Sequence, residues 1–155
     1  MDPVTVAIAL GSNAGDRAAH LSFAIARLSG ILSSLKTSRW YETDWVGVEP
    51  GVHPRVLNGA AVGETPLSAR ELLDALLAIE RERGRDRSAA GAVRTLDLDL
   101  ILFGDRVLNE PGLIVPHPRF RERRFVLEPL ADVAPEMVDP VTGRTVTELL
   151  AALTA

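Results

Sequence analysis

The sequence contains no cysteine, which excludes disulfide bonds, thiolate metal sites and a cysteine nucleophile. Any metal must be held by oxygen or imidazole ligands, and this favours hard cations such as Mg²⁺. Long hydrophobic runs are also lacking, since no stretch approaches the roughly 20 apolar residues that a transmembrane helix needs. The N-terminus has no basic region typical of a signal peptide. We therefore expect a cytoplasmic protein with no membrane partner.

Lysine is almost absent, because Lys36 is the only lysine among 17 basic residues. The 21 acidic residues leave a net charge of −4, which argues against a general nucleic-acid-binding protein. The arginines cluster, with five in residues 81–94 and four in residues 119–124. Their planar guanidinium groups suit phosphate oxygens, although codon bias in a GC-rich genome is an equal explanation for the excess. The clustering is better explained by two anion-binding segments.

Length and composition indicate one domain spanning residues 1–155, with 46% hydrophobic residues available for a core. Neither the Walker motif nor the Rossmann glycine motif occurs. A nucleotide would therefore have to bind by another route.

Hydrophobic periodicity predicts elements in the order β, α, β, β, α, β, followed by a tail. The strands are expected at 4–10, 35–42, 55–63 and 95–103, and the helices at 18–32 and from Ser68 to Gly84. The last strand is predicted to be central, with R-V-L-N as its short partner after a tight turn. Short helices are expected within 119–130 and 145–153. This order suggests an α+β fold, a ferredoxin-like α/β sandwich with a mainly antiparallel sheet and helices on one face.

The strand at 95–103 carries two carboxylates. Because side chains alternate along a strand, Asp97 and Asp99 point the same way with backbones about 7 Å apart. The side chains expected on the opposite, core-facing side are those of Leu96, Leu98, Leu100 and Leu102. Two carboxylates on a rigid strand can hold one or two Mg²⁺ ions together with substrate phosphates and water. A solvated acidic strand face is the ordinary alternative.

An arginine-rich segment precedes this strand. Arg81 and Arg83 complement the dipole of the second predicted helix at its C-terminus. That explanation does not cover Arg85 and Arg87, which follow the helix and lead to Arg94. Phosphoryl transfer needs such cations, because its catalysis is mostly positioning and charge neutralisation.

Three further features carry weaker signals. His117 lies between two prolines and could bind a phosphate or a ribose, although a surface or helix-capping histidine is slightly favoured by the pattern alone. The G-S-N segment at 11–13 follows a strand and could approach an anion through its amides. The long Gly/Pro-rich connection between the second and third strands is typical of a binding loop. The pattern alone therefore predicts a Mg-dependent, phosphate-handling enzyme.

Six segments occur in the order and spacing of one family over nearly the whole chain: A-L-G-S-N, Y-E-T, L-N-G-A, E-x-x-x-G-R-x-R, R-T-L-D-L-D-L-I-L-F-G and V-P-H-P-R. On these segments the chain resembles the hydroxymethyldihydropterin pyrophosphokinase family of folate biosynthesis. The resemblance implies transfer of diphosphate from ATP to 6-hydroxymethyl-7,8-dihydropterin, with release of AMP.

The resemblance also implies roles for individual residues. Two Mg²⁺ ions that bridge the ATP triphosphate would be bound by Asp97 and Asp99. The catalytic arginines that hold the phosphates would be Arg85 and Arg94. The ATP contacts would be Arg87, His117 and Arg123, with Leu100 as an apolar contact near the adenine. The pterin pocket would contain Thr43, Val46, Asn58 and Phe125, with Asn58 recognising the pterin edge and Phe125 stacking on the ring.

Two other functions use the same residues differently. A Mg-dependent phosphohydrolase or nucleotidyl transferase could use the aspartate pair without a pterin, and a non-enzymatic binding module would leave both aspartates solvated. The discriminating feature is whether Asn58 and Phe125 face a flat pocket. The largest departure from the family's usual residues is A-A-G-A-V at 89–93, where many relatives carry a tryptophan and a Gly-Pro. In addition, Asp44 replaces a common proline, Val56 a common aromatic residue, and Gly112 a basic residue of some relatives. We expect a monomer, because no stripe of exposed apolar residues is evident.

Overall fold

The computed structural model describes residues 3–44, 55–84 and 95–154. The strands are β1 (Val4–Ser12), β2 (Ser33–Thr37), β3 (Tyr41–Thr43), β4 (Val56–Thr65), β5 (Asp97–Phe103), β6 (Leu108–Glu110) and β7 (Leu113–Val115). The helices are α1 (Arg17–Leu28), α2 (Ala69–Glu82), α3 (Arg124–Val133) and α4 (Val146–Thr154), with a 3₁₀ turn at Phe120–Glu122 before α3. Within these ranges, none of the helices combines the length and apolar character needed to cross a membrane.

The main sheet has the strand order β2-β4-β1-β5, with β3 beside β4. All of these pairings are antiparallel. The order of elements along the chain, with β2 and β3 together in place of one strand, is that of a ferredoxin-like fold. The predicted fold class is confirmed.

The starts of α1 and α2 are each determined by a side-chain cap. Asp16 accepts a hydrogen bond from Ala19 N at 3.1 Å and begins α1. Ser68 and Glu71 form the predicted capping box of α2, with reciprocal bonds of 3.1 and 2.9 Å. Beyond the end of α2, Gly84 adopts a φ of +87°, a conformation that favours glycine.

The strand predicted at 35–42 is interrupted by Ser38 and Trp40. Ser38 Oγ accepts a hydrogen bond from Ala60 N at 2.8 Å, and thereby replaces a main-chain acceptor of the ladder. The Trp40 ring packs against Gly59, where an added Cβ would lie 2.4 Å from a ring carbon. These contacts divide the segment into β2 and β3.

The prediction of β5 as a central strand is wrong, because β5 ends the strand order of the described sheet. Its outer edge is covered by other groups. The Glu80 carboxylate of α2 accepts a hydrogen bond from Leu98 N at 2.7 Å. His117 N donates to Ile101 O at 3.0 Å. The R-V-L-N segment does not pair with β5 as predicted. It contributes Leu108 and Asn109 to β6, which pairs with β7 in a separate hairpin.

A bulge in β5 changes the direction of one predicted core residue. Ala7 of β1 pairs with Leu102 and Ile8 pairs with Leu100, so that Ile101 is an extra residue in β5. Leu102 therefore lies with Ile101 in a core cluster on the same face as the two aspartates. The expectation that Leu102 would share a face with Leu100 is wrong for this reason.

Two core clusters lie on opposite faces of the sheet. The first packs α1 and α2 against the sheet, and its largest fully buried side chains include Ile8, Leu21, Leu72, Leu76 and Leu98. The second packs α3 and α4 against the other face, through Phe120, Leu127 and Leu130 among others. The tail thus adds helices to the face that was expected to lack them. Beside these helices, the second face carries Asp97 and Asp99.

Candidate active site

A cleft of about 260 Å³ lies on the second face of the sheet, beside the start of α3. Its floor is formed by β1, β4 and β5, and its walls by β3 and by residues 119–126. The cleft brings together six of the residues predicted for the site: Thr43, Asn58, Asp97, Asp99, Arg123 and Phe125.

Strand register explains how these side chains meet. Gly11 of β1 pairs with Asn58 on one side and with Asp97 on the other. Ala9 pairs with Asp99 in the same way. Because Gly11 and Ala9 are small, the floor between the amide and the carboxylates stays open. Asn58 and the aspartates consequently face one cleft from the two strands that flank β1.

The two carboxylates fit a magnesium site. Asp97 and Asp99 are partly buried and line the cleft together. The described part of the chain has no group of three or more His, Asp or Glu side chains that could hold a metal. A pair of carboxylates is nevertheless the donor set expected for Mg²⁺, which commonly takes one or two carboxylates and completes its shell with water and substrate phosphates.

Asn58 and Phe125 lie on different sides of the cleft. Asn58 is 4% exposed and donates from Nδ2 to Thr43 Oγ1 at 2.7 Å. Phe125 is half-buried at the start of α3, with the Arg123 guanidinium 5.5 Å from its ring centroid. The cleft therefore offers a fixed amide and an aromatic face, which suit a flat polar heterocycle.

The wall near α3 is positively charged. Arg119 and Arg123 both line the cleft, and Arg119 Nε lies 3.7 Å from Glu122 in a long ion pair. Arg119 was not among the predicted site residues. The cluster of four arginines in residues 119–124 was the available signal, but the sequence does not reveal which of them face the cleft.

His117 lies beside this wall and is half-buried. Its Nδ1 accepts a hydrogen bond from Arg119 N at 3.2 Å, so the neutral ring carries its proton on Nε2. Burial lowers the pKa of His117, the positive charges of Arg123 and Arg119 lower it further, and Asp97 opposes them. The ring is thus held neutral, with Nε2–H as a donor.

Charged side chains also join the strands of the opposite wall. Glu42 accepts from Arg17 Nη2 at 2.7 Å and from Arg55 Nη1 at 3.1 Å. The hydrogen bond from Arg17 is the main reason that the pKa of Glu42 is lowered. Arg55 Nε lies 3.2 Å from Asp44, which lines the cleft. The unusual Asp44 is therefore paired with a cation.

Some predicted residues are not among these cleft-lining groups. The Leu100 side chain is buried in the first cluster, under α1 and α2, on the opposite face from the aspartates. Four residues lie outside the described part of the chain: Val46, Arg85, Arg87 and Arg94. The weak G-S-N signal corresponds to cleft-lining residues, since Gly11, Ser12 and Asn13 all line the floor.

Comparison with known proteins identifies similar enzymes. The family profile described as 7,8-dihydro-6-hydroxymethylpterin-pyrophosphokinase matches residues 7–135. A 2-amino-4-hydroxy-6-hydroxymethyldihydropteridine pyrophosphokinase of Pseudomonas aeruginosa is 43% identical over 149 residues, which cover 95% of this chain and 90% of that protein. The protein of the same name from Synechocystis sp. is 41% identical over 145 residues, covering 92% and 73% respectively.

Solved structures support the fold. A crystal structure of wild-type Plasmodium falciparum HPPK-DHPS superimposes with a TM-score of 0.77 at 14% sequence identity. The match covers 97% of this chain and 45% of the Plasmodium chain. The present chain therefore spans less than half the length of that larger protein, and at this identity the likeness concerns the fold.

Proposed function

The chain belongs to the 7,8-dihydro-6-hydroxymethylpterin pyrophosphokinase family, and from this premise we propose that the cleft over β1, β4 and β5 is its active site. The enzyme transfers a diphosphoryl group from ATP to 6-hydroxymethyl-7,8-dihydropterin in folate biosynthesis. The products are the pterin diphosphate and AMP.

One observation carries the assignment of the cleft. Asp97 and Asn58 face each other across Gly11, so that a metal-binding carboxylate and a buried amide share one floor. A phosphohydrolase would need the carboxylates alone. The amide, together with the ring of Phe125, favours a second substrate that is flat and polar, as a pterin is.

In this proposal Asp97 and Asp99 would hold two Mg²⁺ ions. When bound, the ions would neutralise negative charge on the triphosphate and help to align it. The protein contributes two carboxylates on a strand whose position is fixed by β1 and by Glu80. Substrate phosphates and water would complete the coordination.

The cationic wall is assigned to ATP. His117 donates from Nε2, and Arg123 supplies a charged donor from the base of α3. Arg119 is added to this group because it lines the same wall. For Leu100 we propose a main-chain contact near the adenine, since its side chain is buried on the other face. Arg87 keeps its proposed role as an ATP contact.

The pterin lies over β4, between the wall formed by β3 and the wall formed by the start of α3. Asn58 hydrogen-bonds its polar edge, Phe125 stacks on the ring, and Thr43 fixes the Asn58 amide. Val46 completes the pocket in the proposal. These contacts hold the hydroxymethyl oxygen toward ATP, where correct orientation of two substrates supplies much of the rate enhancement.

The transfer itself is an in-line displacement. The hydroxymethyl oxygen forms a bond to the β-phosphorus of ATP, the bond from that phosphorus to the AMP oxygen breaks, and the hydroxyl proton is released. Negative charge grows on the AMP oxygen. Arg85 and Arg94 are the proposed catalytic residues that stabilise this charge.

The test measures AMP formation from ATP with and without the pterin and Mg²⁺, for the wild type and Asp97→Asn. We expect AMP formation to depend on both additions and to fall by on the order of 10²-fold or more in Asp97→Asn. Asp74→Asn is the matched control, because Asp74 is exposed on α2, which packs on the other face. Pterin-independent ATP cleavage, or ADP as the product, would instead support a phosphohydrolase or nucleotidyl transferase.

The proposal also includes a single domain over residues 1–155, a monomer and a cytoplasmic location. Light scattering during gel filtration tests the monomer directly. A mass near twice 16.7 kDa would contradict it.

A further inference from the structure

A fully buried carboxylate lies outside the cleft, in the connection between α3 and α4. Asp139 is 0% exposed and accepts hydrogen bonds from four donors. Arg121 contributes Nε at 2.5 Å and Nη2 at 3.0 Å. Val141 N lies at 3.0 Å and Thr142 Oγ1 at 2.8 Å. Because Arg121 donates from two nitrogens, the contact fixes the direction of its guanidinium as well as its distance from Asp139.

The connection around Asp139 is itself tied together. Asp139 N donates to Arg144 O, and Gly143 N donates to Asp139 O, both at 2.8 Å. Val138 forms an isolated antiparallel bridge with Thr145. Asp139 is therefore a fixed anchor, and the orientation of Arg121 depends on it.

Arg121 lies in the middle of the 3₁₀ turn that precedes α3. The residues that flank this turn, Arg119 and Arg123, line the cleft. Phe120 is fully buried in the second core cluster, and the Arg121 guanidinium lies 4.9 Å from its ring centroid. Phe120 and Arg121 thus anchor the turn on the side away from the cleft, while the two flanking arginines line the cleft.

The same turn is connected to His117. Phe120 N donates to His117 O at 3.3 Å, and Arg119 N donates to His117 Nδ1. Arg123 N donates to Phe120 O at 3.3 Å. A change in the placement of the turn would therefore move the histidine and both arginines together.

We propose that Asp139 is a positioning residue for ATP: by holding Arg121, it sets the turn that directs His117, Arg119 and Arg123 toward the triphosphate. This inference rests on the proposed assignment of that wall to ATP. Asp139 does not reach the cleft itself and acts through Arg121.

The charged pair is better suited to orientation than to stability. A buried ion pair is often replaceable by apolar residues without loss of stability, because desolvation offsets the attraction. Burial raises the pKa of Asp139, but hydrogen bonds from Arg121, Thr142 and Val141 N outweigh it, and the net pKa is lowered. The carboxylate thus stays ionised and keeps its hold on Arg121 at neutral pH.

The experiment compares Asp139→Asn, Arg121→Gln and the double variant that carries both changes. Each single change leaves one charge without its partner, so both single variants should melt at a lower temperature than the wild type. The double variant removes both charges, and its melting temperature should recover most of that loss. In all three variants we expect the KM for ATP to rise about 10-fold and the Kd for the pterin to change less than about 2-fold.

Binding is measured separately with an ATP analogue that has a methylene group between its α- and β-phosphorus atoms. Asp74→Asn and Arg144→Gln are matched controls, because both side chains are exposed. Recovery of the KM for ATP together with the melting temperature in the double variant would overturn the proposal, since a purely structural role predicts that result. Unchanged analogue affinity in the single variants would also overturn it. Absence of pterin-dependent AMP formation in the wild type would instead contradict the proposed function.

Discussion

Asn58 Nδ2 donates a 2.7 Å hydrogen bond to Thr43 Oγ1, and this bond joins β4 to β3 inside the cleft. The amide oxygen lies over the floor, because a Cβ added at Gly11 would be 3.4 Å from Asn58 Oδ1. Thr43 therefore determines which way the amide faces. In the proposed pocket, that orientation decides whether Asn58 presents an acceptor or a donor to the pterin.

Replacement of Thr43 by valine tests this role. Valine keeps the shape but removes the acceptor, so one N–H of the buried Asn58 amide loses its partner at a cost of about 1–3 kcal/mol. We expect the Kd for the pterin, measured by calorimetry, to rise about 10-fold. The KM for ATP should change little, since Thr43 lies on the wall opposite Arg119 and Arg123.

Thr37→Val is the control for this variant, because Thr37 is an exposed threonine on β2. It changes the same atoms at a strand position away from the cleft. Equal losses of pterin affinity in Thr37→Val and Thr43→Val would contradict a specific role for the Asn58–Thr43 bond.

Gly11 provides a second test, because its lack of a side chain keeps the cleft floor open. An added Cβ would lie 3.4 Å from Asn58 Oδ1 and 3.7 Å from Val56 Cγ1, so the first atom fits and larger groups protrude into the cleft. Strand geometry favours a β-branched residue. We expect Gly11→Val to keep the fold, judged by circular dichroism, while the pterin Kd rises more than in Gly11→Ala.

Gly30→Ala is the matched control, because Gly30 lies beyond α1 and, among the described residues, an added Cβ would approach only Arg27 O, at 3.4 Å. Pterin affinity should be unchanged in this variant. If Gly11→Val bound the pterin as tightly as the wild type, the floor above Gly11 would not be the pterin site.

The two nitrogens of His117 can be separated by substitution. The Asn amide can replace Nδ1 and keep the acceptor for Arg119 N, whereas the Gln amide can place a donor near Nε2. Because the proposal assigns ATP to Nε2–H, we expect His117→Gln to keep a lower KM for ATP than His117→Asn. The reverse order in steady-state kinetics would mean that the Arg119 contact matters more than the donor.

The lowered pKa of His117 also predicts a pH effect on stability. Burial and the nearby arginines disfavour the protonated ring in the folded state, so the unfolded chain, with a histidine pKa of about 6.5, binds the proton more readily. The contribution of neutral His117 to the free energy of unfolding is therefore complete above about pH 6.5, and it is lost as the pH falls below that value. Urea unfolding between pH 7 and 5 should show a smaller loss for His117→Asn than for the wild type.

His20 must stay unchanged in both proteins of that comparison. Its pKa is lowered as well, first by burial and then by the charge of Arg83, so it contributes a pH dependence of the same sign. Parallel curves for the wild type and His117→Asn would show that His117 is not a source of the acid sensitivity.

The sequence was sufficient for the elements that depend on local signals. Apolar runs bounded by turn residues located β1, β4 and β5, and Ser68 with Glu71 located the start of α2. The common direction of Asp97 and Asp99 followed from the two-residue period of a strand. These features depend on neighbours in the chain, and the sequence displays those neighbours.

Features that depend on distant contacts could not be predicted in this way. The bulge at Ile101 arises from the register between β1 and β5, and it reversed the predicted side of Leu102. Arg119 and Arg121 look equivalent in the sequence. The buried Asp139 binds Arg121, while Arg119 faces the cleft.

Glu80 offers a last test, because its buried carboxylate covers the edge of β5 next to the aspartates. It is 1% exposed and accepts from Leu98 N, the amide between the two aspartates' positions, at 2.7 Å. Glu80→Ala leaves that buried amide unsatisfied, so the free energy of unfolding should fall by at least about 1–3 kcal/mol in urea titrations. Glu80→Gln keeps an oxygen acceptor and should lose less. If both variants lost equal stability, the charge of Glu80 and not the hydrogen bond to Leu98 would be its main contribution.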